Sequence, residues 1–262
     1  MMRSLWSSAS GMKGQQLNMD NISNNLANVN TTGFKKSRVS FQDLMYQNLR
    51  QAGTPNNQGS EIPTGLQIGH GVKPGATQKM FTPGSLKSTS NPLDMAIEGD
   101  GFFEVLMPDG TSAYTRDGSF SLDSQGQVVT SDGYLLQPPI NIPAEATEIS
   151  INEEGVVNYF EPGAEEPQEA GQIELVDFAN PAGLESIGQN LYSETAASGD
   201  PLVGLPAQDG YGAISQNFLE ESNVEVVDEM VDMIAAQRAY ETNSKSIQAS
   251  DEMLQQANQL RR

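Results

Sequence analysis

The sequence has 262 residues, enough for one large domain or two small ones, with 37% hydrophobic residues and a formal net charge of −20. This charge excludes ordinary nucleic-acid binding, which needs cations against the phosphate backbone, and the absence of cysteine excludes disulfides, thiol nucleophiles and thiolate metal sites. Because no apolar run approaches about 18 residues and the start lacks a signal-peptide pattern, we expect no membrane insertion and no cleaved signal.

The N-terminal region predicts one helix over residues 4–30 with a narrow apolar stripe. Apolar residues recur every seven positions, and two more join the same face: Leu5, Met12, Met19 and Leu26, then Ile22 and Val29. Such a stripe must be covered by another helix. Asparagines, which are poor helix formers, crowd its second half: Asn18, Asn21, Asn24, Asn25, Asn28 and Asn30. We interpret them as fixing the register between packed helices, the alternative being a frayed surface helix.

The middle of the chain changes from connector to β structure. Residues 34–50 predict a strand followed by a short helix, and the Gly-, Pro-, Asn- and Gln-rich residues 51–75 predict a loop or extended connector. From about 76 to 220, Asp-Gly pairs separate short apolar runs, and their close spacing between 100 and 133 predicts a meander of hairpins. Residues 177–206 predict irregular structure. We expect one mainly antiparallel β domain in this region.

The C-terminal region predicts a second long helix, over residues 222–260. Its apolar stripe repeats every seven residues at Val226, Met233, Tyr240, Ile247 and Leu254. Matching stripes at both ends favour a subunit that polymerises, each stripe being covered by the other end or by neighbouring copies. Ordering the ends within one monomer costs roughly 1–2 kcal/mol per residue, more than such narrow stripes can offset. We therefore expect both ends to be disordered in the free subunit and to fold on assembly.

Candidate catalytic residues are few. The single histidine, His70, lies between two glycines, where it is most simply a loop residue, and no zinc, triad or phosphate-loop motif accompanies it. Four carboxylates lie close together in sequence: Asp94, Glu98, Asp100 and Glu104. Such a group can supply an acid/base pair for sugar hydrolysis, but in an acidic β domain it usually faces solvent. The Asp-Gly turns do not match a calcium loop. We expect no catalytic site, no metal and no cofactor.

Four strings, in order along nearly the whole chain, resemble the bacterial flagellar rod and hook proteins. Asn24–Lys35 resembles the N-terminal signature of that family and Ile234–Asn243 its C-terminal signature. Ile97–Phe103 and Tyr114–Phe120 resemble the β domain that follows the first helix. Four separate strings in the right order are a specific match.

Within this family, three features favour the distal-rod members. These are the length, the opening Arg3–Trp6, and Asp43–Gln47 followed by a long connector. The rod-hook-like and hook proteins, other axial members, are alternatives. From other classes, the alternatives are an acidic secreted carbohydrate-binding module and a peptidoglycan hydrolase acting through Asp94, Glu98 or Asp100.

The resemblance implies a structural protein rather than an enzyme. Subunits would polymerise helically into a rigid hollow drive shaft, a homo-oligomer that transmits motor torque through the periplasm and the envelope rings to the hook. The implied partners are the proximal rod proteins, the hook protein, the periplasmic and outer-membrane ring proteins, and the flagellar type III export apparatus. The implied location is the flagellar basal body.

The resemblance also implies an α+β fold in three regions. Residues 1–34 and 222–262 would form a coiled-coil-like helical domain, the inner tube of the shaft. Residues 35–75 would be an extended connector between neighbouring subunits that limits bending, and residues 76–221 a β domain in the outer layer. The expected assembly interface comprises Leu5, Met12, Met19, Ile22, Leu26, Val29, Phe34, Val226, Met233, Arg238, Tyr240, Ile247 and Leu254.

Overall fold

The computed structural model of the protein describes residues 2–53, 63–143, 145–162 and 167–259. The chain divides into two compact units. Unit 1 comprises Met1–Leu26, Ser37–Gln78 and Glu225–Arg262; unit 2 comprises Ala27–Lys36 and Lys79–Val224. Long helices occur in unit 1 and a β-rich core in unit 2, so the α+β class predicted from the sequence is confirmed.

In its described residues, unit 1 contains both long helices and four strands. Its elements are α1 (Met2–Ala27), β1 (Ser37–Asp43), β2 (Gln47–Arg50), β3 (Leu66–Ile68), β4 (Val72–Lys79) and α2 (Val226–Gln259). The helices begin and end within a few residues of the predicted bounds. Strands β1 and β4 pair with each other, and β2 pairs with β3 in antiparallel register. No helix of the described residues is long and apolar enough to cross a bilayer.

The short helix predicted before residue 50 is wrong. Residues Gln47–Arg50 form strand β2, with Gln47 opposite Ile68 and Arg50 opposite Leu66. A four-residue segment has little intrinsic helix stability, and pairing across the connector overrides it. The predicted connector is thus partly strand. The centre of the predicted loop, residues 54–59, lies outside the described residues.

Unit 2 is built from short strands and a single turn of 3-10 helix, Pro181–Gly183, in the described part of the chain. The strands are β5 (Leu86–Ser88), β6 (Met95–Glu98), β7 (Phe102–Leu106), β8 (Ser112–Thr115), β9 (Phe120–Leu122), β10 (Val128–Thr130), β11 (Leu135–Gln137), β12 (Glu148–Ile151), β13 (Val156–Phe160), β14 (Gln168–Gln172), β15 (Leu175–Asp177), β16 (Glu185–Gly188), β17 (Leu191–Ser193), β18 (Leu202–Gly204), β19 (Ala213–Gln216) and β20 (Phe218–Glu220).

The described strands of unit 2 group around one large sheet. Nine of them form this sheet: seven follow the order β16-β17-β8-β7-β11-β10-β9, and the other two are β15, which pairs with β7, and β18, which pairs with β15. The predicted meander is confirmed at the antiparallel pairs β7–β8, β9–β10 and β10–β11. Smaller groups are β12-β13-β14, β19-β6 and β20-β5. Turn residues local in sequence thus account for the hairpins.

The irregular structure predicted for residues 177–206 is wrong. This stretch contributes β16, β17 and β18 to the large sheet, and Tyr192 of β17 lies opposite Tyr114 of β8. The strands are three or four residues long; Gln189 and Asn190 separate β16 from β17, and a stretch with Gly199 and Pro201 separates β17 from β18. Strand β16 pairs with the adjacent β17, but β17 also pairs with β8 and β18 pairs with β15, and local patterns do not reveal these more distant partners.

Both faces of strand β7 are buried, which fixes the core of unit 2. Phe103 and Val105 are fully buried in the main hydrophobic cluster, and the Phe103 ring packs edge-on against Phe120 at 5.2 Å. Phe102, on the opposite face, packs in a second, aromatic cluster. Side chains alternate across a strand, so successive phenylalanines serve opposite faces and the sheet is covered on both sides.

The phenol groups of two tyrosines in the aromatic cluster are expected to ionise at a higher pH than usual. Burial raises the pKa of Tyr114 and of Tyr192 to about 12, from the usual 10. The folded state therefore holds protons that the unfolded state loses, and the stability that this gives is fully present below pH 10 and lost as the pH rises towards about 12. Tyrosinate absorbance measured together with circular dichroism should show these groups ionising as unit 2 unfolds. Tyr192→Phe should move alkaline unfolding to higher pH; an unchanged midpoint would contradict the linkage.

Candidate assembly interface

The two long helices of unit 1 meet along a polar seam. The hydroxyl oxygens of Ser4 and Ser250 lie 3.3 Å apart, and the Ser8 hydroxyl donates to Ser246 Oγ at 3.2 Å. Residue numbers rise along α1 as they fall along α2, so the helices run antiparallel. The contacts join hydroxyl groups rather than apolar side chains.

This seam is close but buries little apolar surface. A Cβ added at Gly11 would lie 2.9 Å from the side-chain nitrogen of Asn243, so the helices approach each other over a glycine. In the described parts of α1 and α2, Ile22 and Ala236 are the only hydrophobic side chains classed as buried. Apolar burial is the main favourable term in helix packing, and this seam supplies little of it.

Asn25 has the helix-to-helix contact expected of a residue that fixes register. It is 2% exposed, and its Nδ2 donates to Glu229 Oε2 on α2 at 3.3 Å. Its Oδ1 also accepts the Ser37 amide at 3.0 Å, and Asn21 Oδ1 accepts the Ser37 hydroxyl at 2.6 Å. The two asparagines therefore also hold the start of β1 against α1. The sequence indicated the first role and gave no sign of the second.

The structure spreads the predicted interface residues over several environments. In α1, Ile22 is buried and Leu5, Met12, Met19 and Leu26 are half-buried. In α2, Met233, Ile247 and Leu254 are half-buried, whereas Val226, Arg238 and Tyr240 are exposed. Two others belong to unit 2: Val29, which is half-buried, and Phe34, which is buried. The heptad residues are thus not enclosed by the seam within this chain.

A more exposed apolar face lies beside the predicted stripe of α2. It consists of Val227, Met230, Val231 and Ile234, exposed by 66%, 52%, 59% and 50%. We call these four residues the α2 strip. Their spacing of i, i+3, i+4 and i+7 places them on one side of the helix. The stripe predicted from the sequence does not include them, although Val227 and Ile234 are themselves seven residues apart.

A second exposed apolar group lies on the paired strands β2 and β3 of unit 1 and the residues just before them. Met45 is 87% exposed, and Tyr46, Leu49 and Leu66 are each more than half exposed. Large apolar side chains gathered on a surface mark interaction sites in soluble proteins. The predicted connector therefore carries apolar residues suited to contact with another chain.

Phe34 and its neighbour Lys35 are structural residues of unit 2. The Lys79 ammonium lies 4.4 Å from the centre of the Phe34 ring, and burial lowers the pKa of Lys79. Lys35 is completely buried and pairs with Glu220. Burial lowers the pKa of Lys35, against the opposing effect of the Glu220 carboxylate. The sequence gave no indication of this ion pair.

The carboxylates considered for hydrolysis take part in local hydrogen bonds. Asp94 accepts from Asn91 Nδ2 at 2.7 Å, and Glu98 accepts from the Ser215 hydroxyl at 2.7 Å across the β6–β19 pair. Among the described residues, no group of three or more His, Cys, Asp or Glu side chains is placed to hold a metal ion. The exposed apolar faces of unit 1 offer association rather than acid/base chemistry.

Three family models match along the chain in the order of its elements. Residues 5–35 match the flagella basal body rod protein model, residues 96–159 the flagellar hook protein FlgE/F/G D1 domain, and residues 215–260 the flagellar basal body rod FlgEFG protein C-terminal model. The flagellar basal-body rod protein FlgG of Borreliella burgdorferi is 54% identical over 264 residues, covering all of both chains. The chain belongs to the FlgG family of flagellar basal-body rod proteins.

Other members of the FlgG family are similar over their full length. FlgG of Caulobacter vibrioides is 49% identical, covering 99% of this chain and all of the relative. FlgG of Bacillus subtilis is 43% identical over all of both chains. The flagellar hook protein FlgE of Helicobacter mustelae is 47% identical over 139 residues, which is 52% of this chain and 30% of the hook protein. The full-length matches therefore favour the rod over the hook.

Proposed function

We propose that this protein is a structural subunit of the flagellar distal rod, polymerising helically into a rigid, hollow drive shaft. The observation that carries the proposal is the 54% identity to a rod protein over the whole of both chains. The shaft transmits motor torque through the periplasm and the envelope rings to the hook. A high density of exposed apolar residues on α2 supports this role, because a contiguous exposed apolar patch marks a surface that associates with another chain.

The three regions expected from the sequence have distinct places in this proposal. Residues 1–34 and 222–262 form a coiled-coil-like inner tube, and residues 35–75 form the connector between subunits. Residues 76–221 form the outer β domain. The antiparallel seam at Ser8 and Ser246 supports helix pairing within one chain, and the apolar stripes remain for neighbouring chains.

The assembly interface combines the predicted stripes with the α2 strip and the exposed apolar residues of β2 and β3. Met12, Met19, Met233 and Ile247 are half-buried in one chain, so neighbouring copies complete their burial. The α2 strip adds more exposed apolar surface than the predicted α2 stripe does. The exposed residues of β2 and β3 insert between subunits and limit bending.

A position in the flagellar basal body implies the remaining partners of the protein. Proximal rod proteins receive the first subunits, the hook protein follows the last, and ring proteins surround the shaft. Export through the flagellar type III apparatus brings each subunit to the growing end. Subunits with unfolded helical ends suit passage through a narrow channel.

Deleting the gene tests the proposed function directly. Electron cryotomography of the deletion strain should show basal bodies with a shortened rod and no hook, and the cells should not swim. The same gene supplied from a plasmid should restore both structures. A complete rod without a hook would favour the hook alternative, and a complete rod with a hook would contradict an axial role altogether.

A further inference from the structure

Three segments of unit 2 lie beside points where the chain passes between the units. They are residues 33–36, 79–84 and 220–223, next to the passages after Lys36, before Lys79 and after Val224. We call these three segments together the crossover anchor. They are far apart in sequence, so only tertiary contacts can hold them together.

Backbone and side-chain hydrogen bonds join every pair of segments in the crossover anchor. The Gly33 amide donates to the Glu220 carbonyl at 2.8 Å, which joins the first segment to the third. The Met80 amide donates to the Lys36 carbonyl at 2.9 Å, which joins the second to the first. Asn223 Nδ2 donates to the Met80 carbonyl at 2.8 Å, which completes the set.

The Lys35 ammonium lies at the centre of the crossover anchor. It donates to Glu220 Oε1 at 2.5 Å and to the Thr82 carbonyl at 2.8 Å. The same Glu220 oxygen accepts the Gly84 amide at 2.8 Å. One buried cation and one buried carboxylate therefore link all three segments, and neither group is more than 1% exposed.

A second buried cation, Arg116, lies next to the pair. Its Nη1 is 3.6 Å from Glu220 Oε2, and its Nη2 donates to the Gly99 carbonyl at 2.8 Å. Arg116 directly follows strand β8. A Cβ added at Gly33 would lie 2.7 Å from the Arg116 carbonyl carbon, so the first segment packs directly against the backbone at the end of β8. Gly33 also has a φ of +67°, which favours glycine.

A buried ion pair by itself contributes little to the net stability of a fold. Apolar side chains of similar volume are often as stabilising, because the charges must leave water. Its advantage is that its hydrogen bonds are directional, since one lysine ammonium donates to several fixed acceptors at once. The arrangement at Lys35 is therefore suited to holding segments in one geometry.

We propose that the crossover anchor fixes the geometry in which the chain leaves unit 2 towards β1 and α2, and that Lys35 is its positioning residue. Unit 2 then holds these connections in place before the terminal helices fold on assembly. The consequence for rod growth rests on the proposed function, whereas the anchor itself can be tested in the free subunit.

Lys35→Met tests the anchor with little change in volume. It removes the cation and both of its hydrogen bonds but leaves Arg116 beside Glu220, so the carboxylate keeps a buried cation. The matched control is Lys87→Met, which makes the same change at an exposed lysine of β5 in the same unit. Hydrogen exchange of the full-length free subunit is measured at the amides of Gly33, Lys36, Met80 and Gly84.

Exchange at these four amides is expected to rise at least tenfold in Lys35→Met and to stay unchanged in Lys87→Met. Strands β7 and β8 should keep their protection in both variants. A general destabilisation of unit 2, as from Val157→Ala in the main core, would instead raise exchange in the strands as well. Unchanged exchange at the anchor, or equal loosening of the strands, would overturn the proposal.

Rod growth gives the second measurement. Cells carrying Lys35→Met should export normal amounts of the subunit but build at least threefold fewer complete rods than cells carrying Lys87→Met. A loosened anchor with a normal number of rods would overturn the positioning role of Lys35. Failure of the proposed function would show separately, as a complete rod in the deletion strain.

Discussion

Val227→Asp is expected to abolish swimming by preventing rod assembly. Val227 is the most exposed member of the α2 strip, at 66%, so the free subunit should fold as before. In the proposed polymer a neighbouring copy would cover this side chain, and a carboxylate there would lose its water without gaining a partner. A cost of about 4 kcal/mol lowers the affinity for the next subunit roughly a thousandfold. Swimming in soft agar and tomography of the basal body measure the loss.

Val203→Asp is the matched control for this prediction. It makes the same substitution at a valine of β18 that is 54% exposed, in unit 2 rather than on the helices. Cells with Val203→Asp should swim, because the β domain is proposed to face outwards. If both variants stop swimming, the effect is not specific to the α2 strip; if both swim, the strip is not an assembly surface.

The helices were predictable, but the residues that cover them were not. Periodicity placed Met233 and Ile247 on one face of α2, and the structure leaves both half-buried. The antiparallel seam instead uses small polar residues such as Ser8 and Ser246. A repeat shows which residues share a face, but the covering surface can belong to another chain.

The β domain was predictable where the signal is local. Turn chemistry at Asp109-Gly110 and Asp132-Gly133 indicated hairpins, and β7–β8 and β10–β11 are joined there. Strand β17 was not predicted because it is only three residues long, its pairing with β8 is distant in sequence, and its turn to the adjacent β16, Gln189-Asn190, has no Asp-Gly signal. Strand β2 was missed because its pairing with β3 crosses a long connector.

The crossover anchor had no signal in the sequence. Lys35 and Glu220 are separated by 185 positions, and each resembles an ordinary surface charge until the fold buries it. Even the family resemblance, which includes Lys35 in its N-terminal string, gave no partner for this lysine. Pairing of buried charges depends on tertiary packing, which no local pattern records.

The terminal helices of the free subunit are expected to exchange their amide hydrogens rapidly. The seam between α1 and α2 joins serine hydroxyls, and Ile22 and Ala236 are the only buried hydrophobic residues in the described parts of both helices. Fixing each residue costs about 1–2 kcal/mol, so a seam of this kind is too weak to hold two long helices alone. Exchange over 2–27 and 226–259 should be at least a hundredfold faster than over β7 and β8.

The assembled rod is the control for this measurement. The same helices should become protected there if, as proposed, neighbouring copies cover Met230 and Ile234 of the α2 strip. Pepsin is the suitable protease, since the sequence has no Lys or Arg between Arg116 and Arg238. Equal protection of the helices in the free subunit would mean that the polar seam is sufficient for folding. The helices would then be preformed before assembly, and the exposed α2 strip would need another means of staying apart from its copies.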